Sequence, residues 1–202
     1  MADFSPALAF LLLNECDDRA VLNPKTGQPW GKRIADVGGG FSHRADDKGG
    51  GTVYGLSTVI RFREGFVPAD FKIASFADAD LLETTLETAT VLWKRIWDRY
   101  GLARLNSQDC ATKLFDALAN MSPYWAVICA QKAANAYGAE IEVDGDLGPK
   151  TVVAINKTDS QYWLRAMCLI QLDRYMEIAA LDSTQRWNLD HLWRARAAAC
   201  PK

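Results

Sequence analysis

The chain is poor in histidine, having two in 202 residues, His43 and His191, far apart in sequence. Zinc chemistry needs His, Cys or carboxylate ligands at paired spacings, so a zinc hydrolase is disfavoured and no metal is expected. Five cysteines, at 16, 110, 129, 168 and 200, form no close pair. Neither a metal knuckle nor a redox dithiol is present, and an odd set of scattered thiols fits synthesis in a reducing compartment. No apolar run approaches the roughly 18 residues that a spanning helix requires, so stable membrane insertion is not expected. The stretch from Ala7 to Leu13 is short, lacks a basic flank and runs straight into Asn14-Glu15, unlike a secretory leader. A basic surplus is missing too: 23 Lys and Arg against 25 Asp and Glu leave a net charge of -2, which argues against a dedicated nucleic-acid binder.

What is there is an ordinary globular composition, 49% hydrophobic and 24% charged, long enough for one substantial core or two small ones. Phe4, Leu8, Leu11 and Leu12 fall at helical spacing behind Ser5-Pro6, which predicts a helix over residues 5 to about 14, with Glu15 at its end. From Asp17 to Gly51 the turn signals crowd together, and we expect a long loop with one or two short strands. A short helix is expected at Thr58 to Arg63, and one amphipathic helix from Asp80 to near Gly101. Ser107 to Asn120 and Tyr124 to Tyr137 read as two more helices, the second stopped by Gly138. The run Asp144-Gly145-Asp146-Leu147-Gly148-Pro149-Lys150-Thr151 reads as a turn and N-cap feeding a helix through Ile155. A long helix from about Asp159 to Ala180 and a last one from about Ser183 to Ala198 complete the pattern. The absence of a heptad seam favours a monomer.

Glu15 and the segment Asp46-Asp47-Lys48-Gly49-Gly50-Gly51-Thr52-Val53-Tyr54-Gly55-Leu56 carry the chemistry. A carboxyl behind Leu11, Leu12 and Leu13 is kept protonated by desolvation, while a carboxylate on a Gly-rich turn stays ionised. Cleavage of a glycosidic bond uses such a division, an acid for the leaving oxygen and an anion or activated water for the sugar cation. Glu15 is the candidate proton donor, and Asp46 or Asp47 the anion. Thr52 is the candidate to hold the attacking water. Gly50 and its neighbours let the backbone approach a bulky sugar, and Tyr54 and Trp30 offer rings for stacking or for anchoring the loop. The Trp- and Arg-rich C-terminal half, with Trp163, Trp187 and Trp193, reads chiefly as core rings and solvated helix faces.

Glu15-Cys16, the run Asp47 to Leu56 and Phe115-Asp116-Ala117-Leu118-Ala119-Asn120 resemble glycoside hydrolase family 108, the N-acetylmuramidases found mainly as phage and prophage endolysins. Ala130-Gln131-Lys132-Ala133 and Val143 to Thr151 are similar to the peptidoglycan-binding-like C-terminal region of that family. The resemblance implies Glu15 as catalytic acid and places Asp47 and Thr52 in the motif that lines the cleft; the catalytic candidates are thus Glu15, Asp47 and Thr52, and the substrate-binding candidates Asp46, Gly50 and Tyr54. Cys16-Asp17 stands where the family has Gly-Gly, and Lys48 where it has Pro. The stretch between Glu15 and Asp47 is longer than usual, so that Asp46, Asp47 or Asp36 could face Glu15. The implied fold is α+β, mainly α: a lysozyme-like arrangement of a small β-region and a helical bundle. Residues 1–105 would form the catalytic region and 106–202 a helical peptidoglycan-binding-like region, packed as one unit with it. The implied activity is hydrolysis of the β-1,4 bond between N-acetylmuramic acid and N-acetylglucosamine in peptidoglycan, without a cofactor. Lytic transglycosylase chemistry, or glycan binding without cleavage, are the alternatives. The resemblance also implies synthesis in a host cytoplasm, release through a holin-type partner, and action at the cell wall.

Overall fold

The computed structural model describes residues 1–15, 51–199 and 201. They are mainly helical and divide into two compact units, one of Phe4–Arg99 and one of Met1–Asp3 with Tyr100–Lys202. The long loop and strands expected between Asp17 and Gly51 lie outside the described residues but for Gly51, as do Trp30, Asp36 and His43.

The first unit begins with α1, Phe4–Glu15, whose Ala7, Leu8, Leu11 and Leu12 are buried at the spacing read from the sequence. After the turn at residues 51–57 comes α2, Thr58–Glu64, capped at its start by Ser57 Oγ and at its end by Gly65 in the left-handed conformation. A 3₁₀ turn, Pro68–Phe71, and a four-residue helix α3, Asp78–Leu81, lead to α4, Leu86–Arg99. The single helix expected from Asp80 to Gly101 is thus broken at 82–85. Thr85 explains the break, because its Oγ1 accepts from the Thr88 amide at 3.2 Å and so starts a new helix as an N-cap. α4 buries Leu92, Trp93, Ile96 and Trp97, an i, i+1, i+4, i+5 stripe. Phe4 meets Trp97 edge-on at 5.9 Å, seating α1 on this stripe.

The second unit is a helical bundle. A 3₁₀ turn, Leu102–Arg104, precedes α5, Gln108–Asn120; then come α6, Pro123–Asn135, α7, Pro149–Lys157, and α8, Ser160–Leu181. Ser107, Ser122 and Asp159 cap α5, α6 and α8 with side-chain oxygens. Gly138 follows α6 at φ +82°. α7 differs in that Gly148 takes the N-cap position without a side-chain bond and Pro149 opens the helix. α8 buries Trp163, Met167, Gln171 and Tyr175, four residues apart, and the Trp163 indole donates to the Ala130 carbonyl of α6 at 3.1 Å. The last expected helix forms as unequal turns: a 3₁₀ turn Ser183–Gln185, α9 at Arg186–Asn188, a π turn Leu189–Trp193 and α10 at Arg194–Ala198. The π turn carries Leu189 inward and lays Trp193 on the buried Tyr175 ring, centroids 4.9 Å apart. Beneath α10, Lys113 of α5 is fully buried and its Nζ donates to the carbonyls of Arg196, Ala197 and Ala199 at 3.0, 3.0 and 2.9 Å. It satisfies the carbonyls that a helix end leaves open.

Candidate active site

The turn carrying Thr52 is built from its neighbours. Leu56 N–H donates to the Val53 carbonyl at 2.8 Å, and the two residues form an antiparallel bridge. Between them Tyr54 and Gly55 both take left-handed backbone angles, φ +48° and +78°. For Gly55 this conformation is free of a Cβ penalty; for Tyr54 it is a strained position that the surroundings must hold. Val53 and Leu56 are fully buried, and the Tyr54 side chain is 4% exposed. Its ring therefore packs inside the unit, and the sugar-facing role read from the sequence finds no open ring face here.

Two side chains hold the turn. Arg61 of α2 is buried; its Nη1 donates to the Leu56 carbonyl at 2.6 Å, and its Nη2 to the Gly51 carbonyl at 2.9 Å and to Thr58 Oγ1 at 2.7 Å. The guanidinium also lies over the Phe76 ring, 4.8 Å from its centroid. One planar cation thus grips both ends of the Gly51–Leu56 turn, as the guanidinium fork allows and an ammonium would not. From the other side, the Trp93 indole donates to the Tyr54 carbonyl at 2.9 Å. Trp93 and Trp97 stand one helical turn apart on α4, so the same stripe supports the Thr52 turn and, through Phe4, α1. Sequence reasoning missed Arg61 and Trp93, which looked like an ordinary helix-surface cation and a core ring.

Glu15 closes α1 in backbone terms, in the same unit as Thr52. Its side chain, like Asp46, Asp47, Gly50 and Cys16, lies outside what the structure describes. Thr52 is half-buried in the turn. Among the described residues, no group of three His, Cys, Asp or Glu side chains is placed to hold a metal ion.

In the second unit the Asp144–Thr151 motif is organised around a buried amide. Gln131 Nε2 donates to Asp144 Oδ1, the Asp146 carbonyl and Thr151 Oγ1 at 2.7, 3.1 and 3.0 Å, and its Oε1 accepts from the Gly145 amide at 2.9 Å. The Asp144 carboxyl is held below its usual range first by the Asp146 backbone N–H and then by Gln131. Gly145 has φ +77°, and a Cβ there would meet the Tyr124 ring at 2.4 Å. The glycines and aspartates of the motif therefore shape a loop before anything binds to it. Gln131, quoted in the sequence only as part of a similar tetrapeptide, is the residue on which it turns. The Phe115–Asn120 segment is likewise structural: Phe115 and Leu118 are core, and Asp116 is paired with Arg196 at 2.9 Å.

Comparison with known families gives a match to Glycosyl hydrolase 108 over residues 32–122 and to a "Predicted Peptidoglycan domain" over residues 125–196. Over residues 32–122 the chain is similar to the glycosyl hydrolase 108 family. The protein is thus a glycoside hydrolase joined to a peptidoglycan domain, a peptidoglycan hydrolase of the cell-wall-degrading kind. The Thr52 turn, Arg61 and Trp93 fall inside the hydrolase match, whereas Glu15 precedes its first residue. No curated protein matches the chain. Among solved structures, that titled Brucella abortus SagA is similar, with a TM-score of 0.56 at 20% identity over 81% of this chain and 88% of that one. At that identity the likeness speaks for the mainly helical fold. No described helix is long and apolar enough to cross a membrane.

Proposed function

We propose that this peptidoglycan hydrolase cleaves the β-1,4 bond between N-acetylmuramic acid and N-acetylglucosamine, with Glu15 as the general acid. The observation that supports this is the shared scaffold: the apolar helix that ends at Glu15 and the clamped turn that presents Thr52 rest on one stripe of α4. Glu15 protonates the leaving oxygen, Asp47 answers the charge that develops on the sugar, and Thr52 orients the attacking water. Asp46 and Gly50 line the substrate, and Tyr54 acts through its backbone in fixing the turn. Residues 1–105 carry the chemistry and 106–202 hold the wall. In the same reading the protein is a monomeric phage-type endolysin, made in a host cytoplasm and released to the wall through a holin-type lesion.

The test is mass spectrometry of the soluble products from purified peptidoglycan digested by the unmutated protein and by Glu15→Gln. Reducing muramic acid ends from the unmutated protein alone are expected. Undiminished release by a folded Glu15→Gln would remove Glu15 from the mechanism. 1,6-Anhydro ends would replace water by the muramyl 6-hydroxyl as nucleophile, and binding without products would leave a glycan-holding protein.

A further inference from the structure

We propose that a groove beside α7 in the second unit binds the peptide stem of peptidoglycan, the part that carries free amines and carboxylates, in preference to the sugar chain. The inference rests on the peptidoglycan hydrolase reading and adds a site to it. The groove has a volume of about 640 Å³, within the range of pockets that enclose small ligands. Its walls are Tyr137 in the turn after α6, the loop at 139–144 and the α7 residues Lys150, Val153 and Lys157.

Charge selects the ligand class. The loop contributes Glu140, Glu142 and Asp144, and α7 contributes Lys150 and Lys157, all of them exposed. Among the described residues, none of these five makes a salt bridge, and the one attraction between them is that of Lys150 on the Asp144 carboxyl at longer range, so both signs line one groove. A ligand bearing ammonium and carboxylate groups a few bonds apart would meet both sets. A largely uncharged sugar chain would meet neither. Val153, half exposed, and Tyr137, which stacks on Tyr162 with ring centroids 5.2 Å apart, add apolar surface for the short side chains of such a peptide.

The loop is also built before the ligand arrives. Asn135 fixes it in both directions, donating to the Ile141 carbonyl at 2.7 Å and accepting from the Ile141 amide at 2.9 Å. Glu140, immediately before that clamp, is held at φ +52°, a left-handed angle that is strained for a residue with a Cβ. At the other end Gln131 holds Asp144 through Oδ1. Two side-chain clamps, at Ile141 and Asp144, with a strained residue just ahead of the first, fix the backbone that carries the three carboxylates along the groove, which lowers the ordering cost of binding.

The experiment is an NMR titration of the ¹⁵N-labelled full chain with two probes, a synthetic stem tetrapeptide containing a diamino acid and, as the glycan, an uncharged N-acetylglucosamine oligomer. The tetrapeptide is expected to shift the amides of residues 139–144 and 150–154, and the glycan to leave them in place. The variant Glu140→Gln/Glu142→Gln/Lys157→Gln should bind the tetrapeptide at least about tenfold more weakly, as the loss of several exposed charge contacts implies. Movement of these amides by the glycan alone, or by neither probe, overturns the proposal. The titration of the unmutated protein decides this even if the variant folds poorly. Assay of reducing-end release from peptidoglycan separates the two readings. Tetrapeptide binding without release keeps the groove and sinks the hydrolase reading; release without tetrapeptide binding does the reverse.

Discussion

Arg196 Nη2 lies 2.9 Å from Asp116 Oδ1, with the arginine side chain 9% exposed and the aspartate fully buried. The pair joins α5, inside the hydrolase match, to α10, at the last residue of the peptidoglycan-domain match. The boundary between the two family matches therefore cuts through a single packed unit, whose hydrophobic helices α5, α6 and α8 share one core.

Removing one member of this pair strands a buried charge. Arg196→Ala is expected to lower the unfolding free energy of the second unit by about 3–5 kcal/mol, whereas the paired change Asp116→Leu/Arg196→Met recovers most of the loss. Urea denaturation of both variants checks this. Equal losses in the single and paired variants would mean that packing, not the uncompensated carboxylate, dominates.

Arg61→Lys keeps a positive charge and loses the fork that reaches Gly51, Leu56 and Thr58 together. We expect a loss of about 2–3 kcal/mol, from hydrogen bonds made by a charged group, and faster hydrogen exchange at the Leu56 amide that closes the turn. Cleavage of peptidoglycan should fall with it, since Thr52 sits in that turn. An unchanged Leu56 exchange rate would show that Trp93 holds the turn unaided.

Gly145 and Gly65 are both left-handed, at φ +77° and +70°, but only Gly145 faces an obstacle, the Tyr124 ring. Gly65→Ala should cost about 1 kcal/mol, the backbone penalty alone. Gly145→Ala should cost about 2–3 kcal/mol, and adding Tyr124→Ala should return only the steric part. Thermal unfolding of the three variants gives the comparison; equal costs at the two glycines would refute the clash.

Burial pushes the thiols of Cys110 and Cys129 up to about 11. Both are therefore neutral at pH 8, and native protein should resist iodoacetamide at these positions while the half-buried Cys168 is alkylated first. Peptide mass spectrometry after timed labelling checks the order. Rapid labelling of Cys110 without denaturant would show that α5 opens locally.

Helix positions were legible from the apolar period: Ser107 and Asp159 stand at the expected starts of α5 and α8, and α6, expected from Tyr124, starts one residue earlier at Pro123 because Ser122 caps it. The break between α3 and α4 was not, since Thr85 is both a tolerable helix residue and a good cap, and only the bond to Thr88 decides between them. The candidate site was half legible. Thr52 and its glycines stand out by turn chemistry, yet the groups that hold them, Arg61 and Trp93, act at long sequence range and carry no local signature. The same is true of Gln131, whose role depends on a loop that begins thirteen residues later. A buried charge such as Lys113 or Asp116 looks like a solvated one until its partner is found.

The partners of α5's buried charges lie far downstream: Asp116 is answered 80 residues later by Arg196, and Lys113 by carbonyls 83 to 86 residues later. During synthesis α5 must therefore wait, carrying an ammonium and a carboxylate that cannot be dehydrated, until almost the whole second unit has been made. Its burial is a late event of high contact order, slowed by the entropy of closing so long a loop. Early helical turns can form on the nascent chain, but the bundle locks only when α10 arrives, so a chain shortened before Arg196 would keep its helices and lack the step that seals them together.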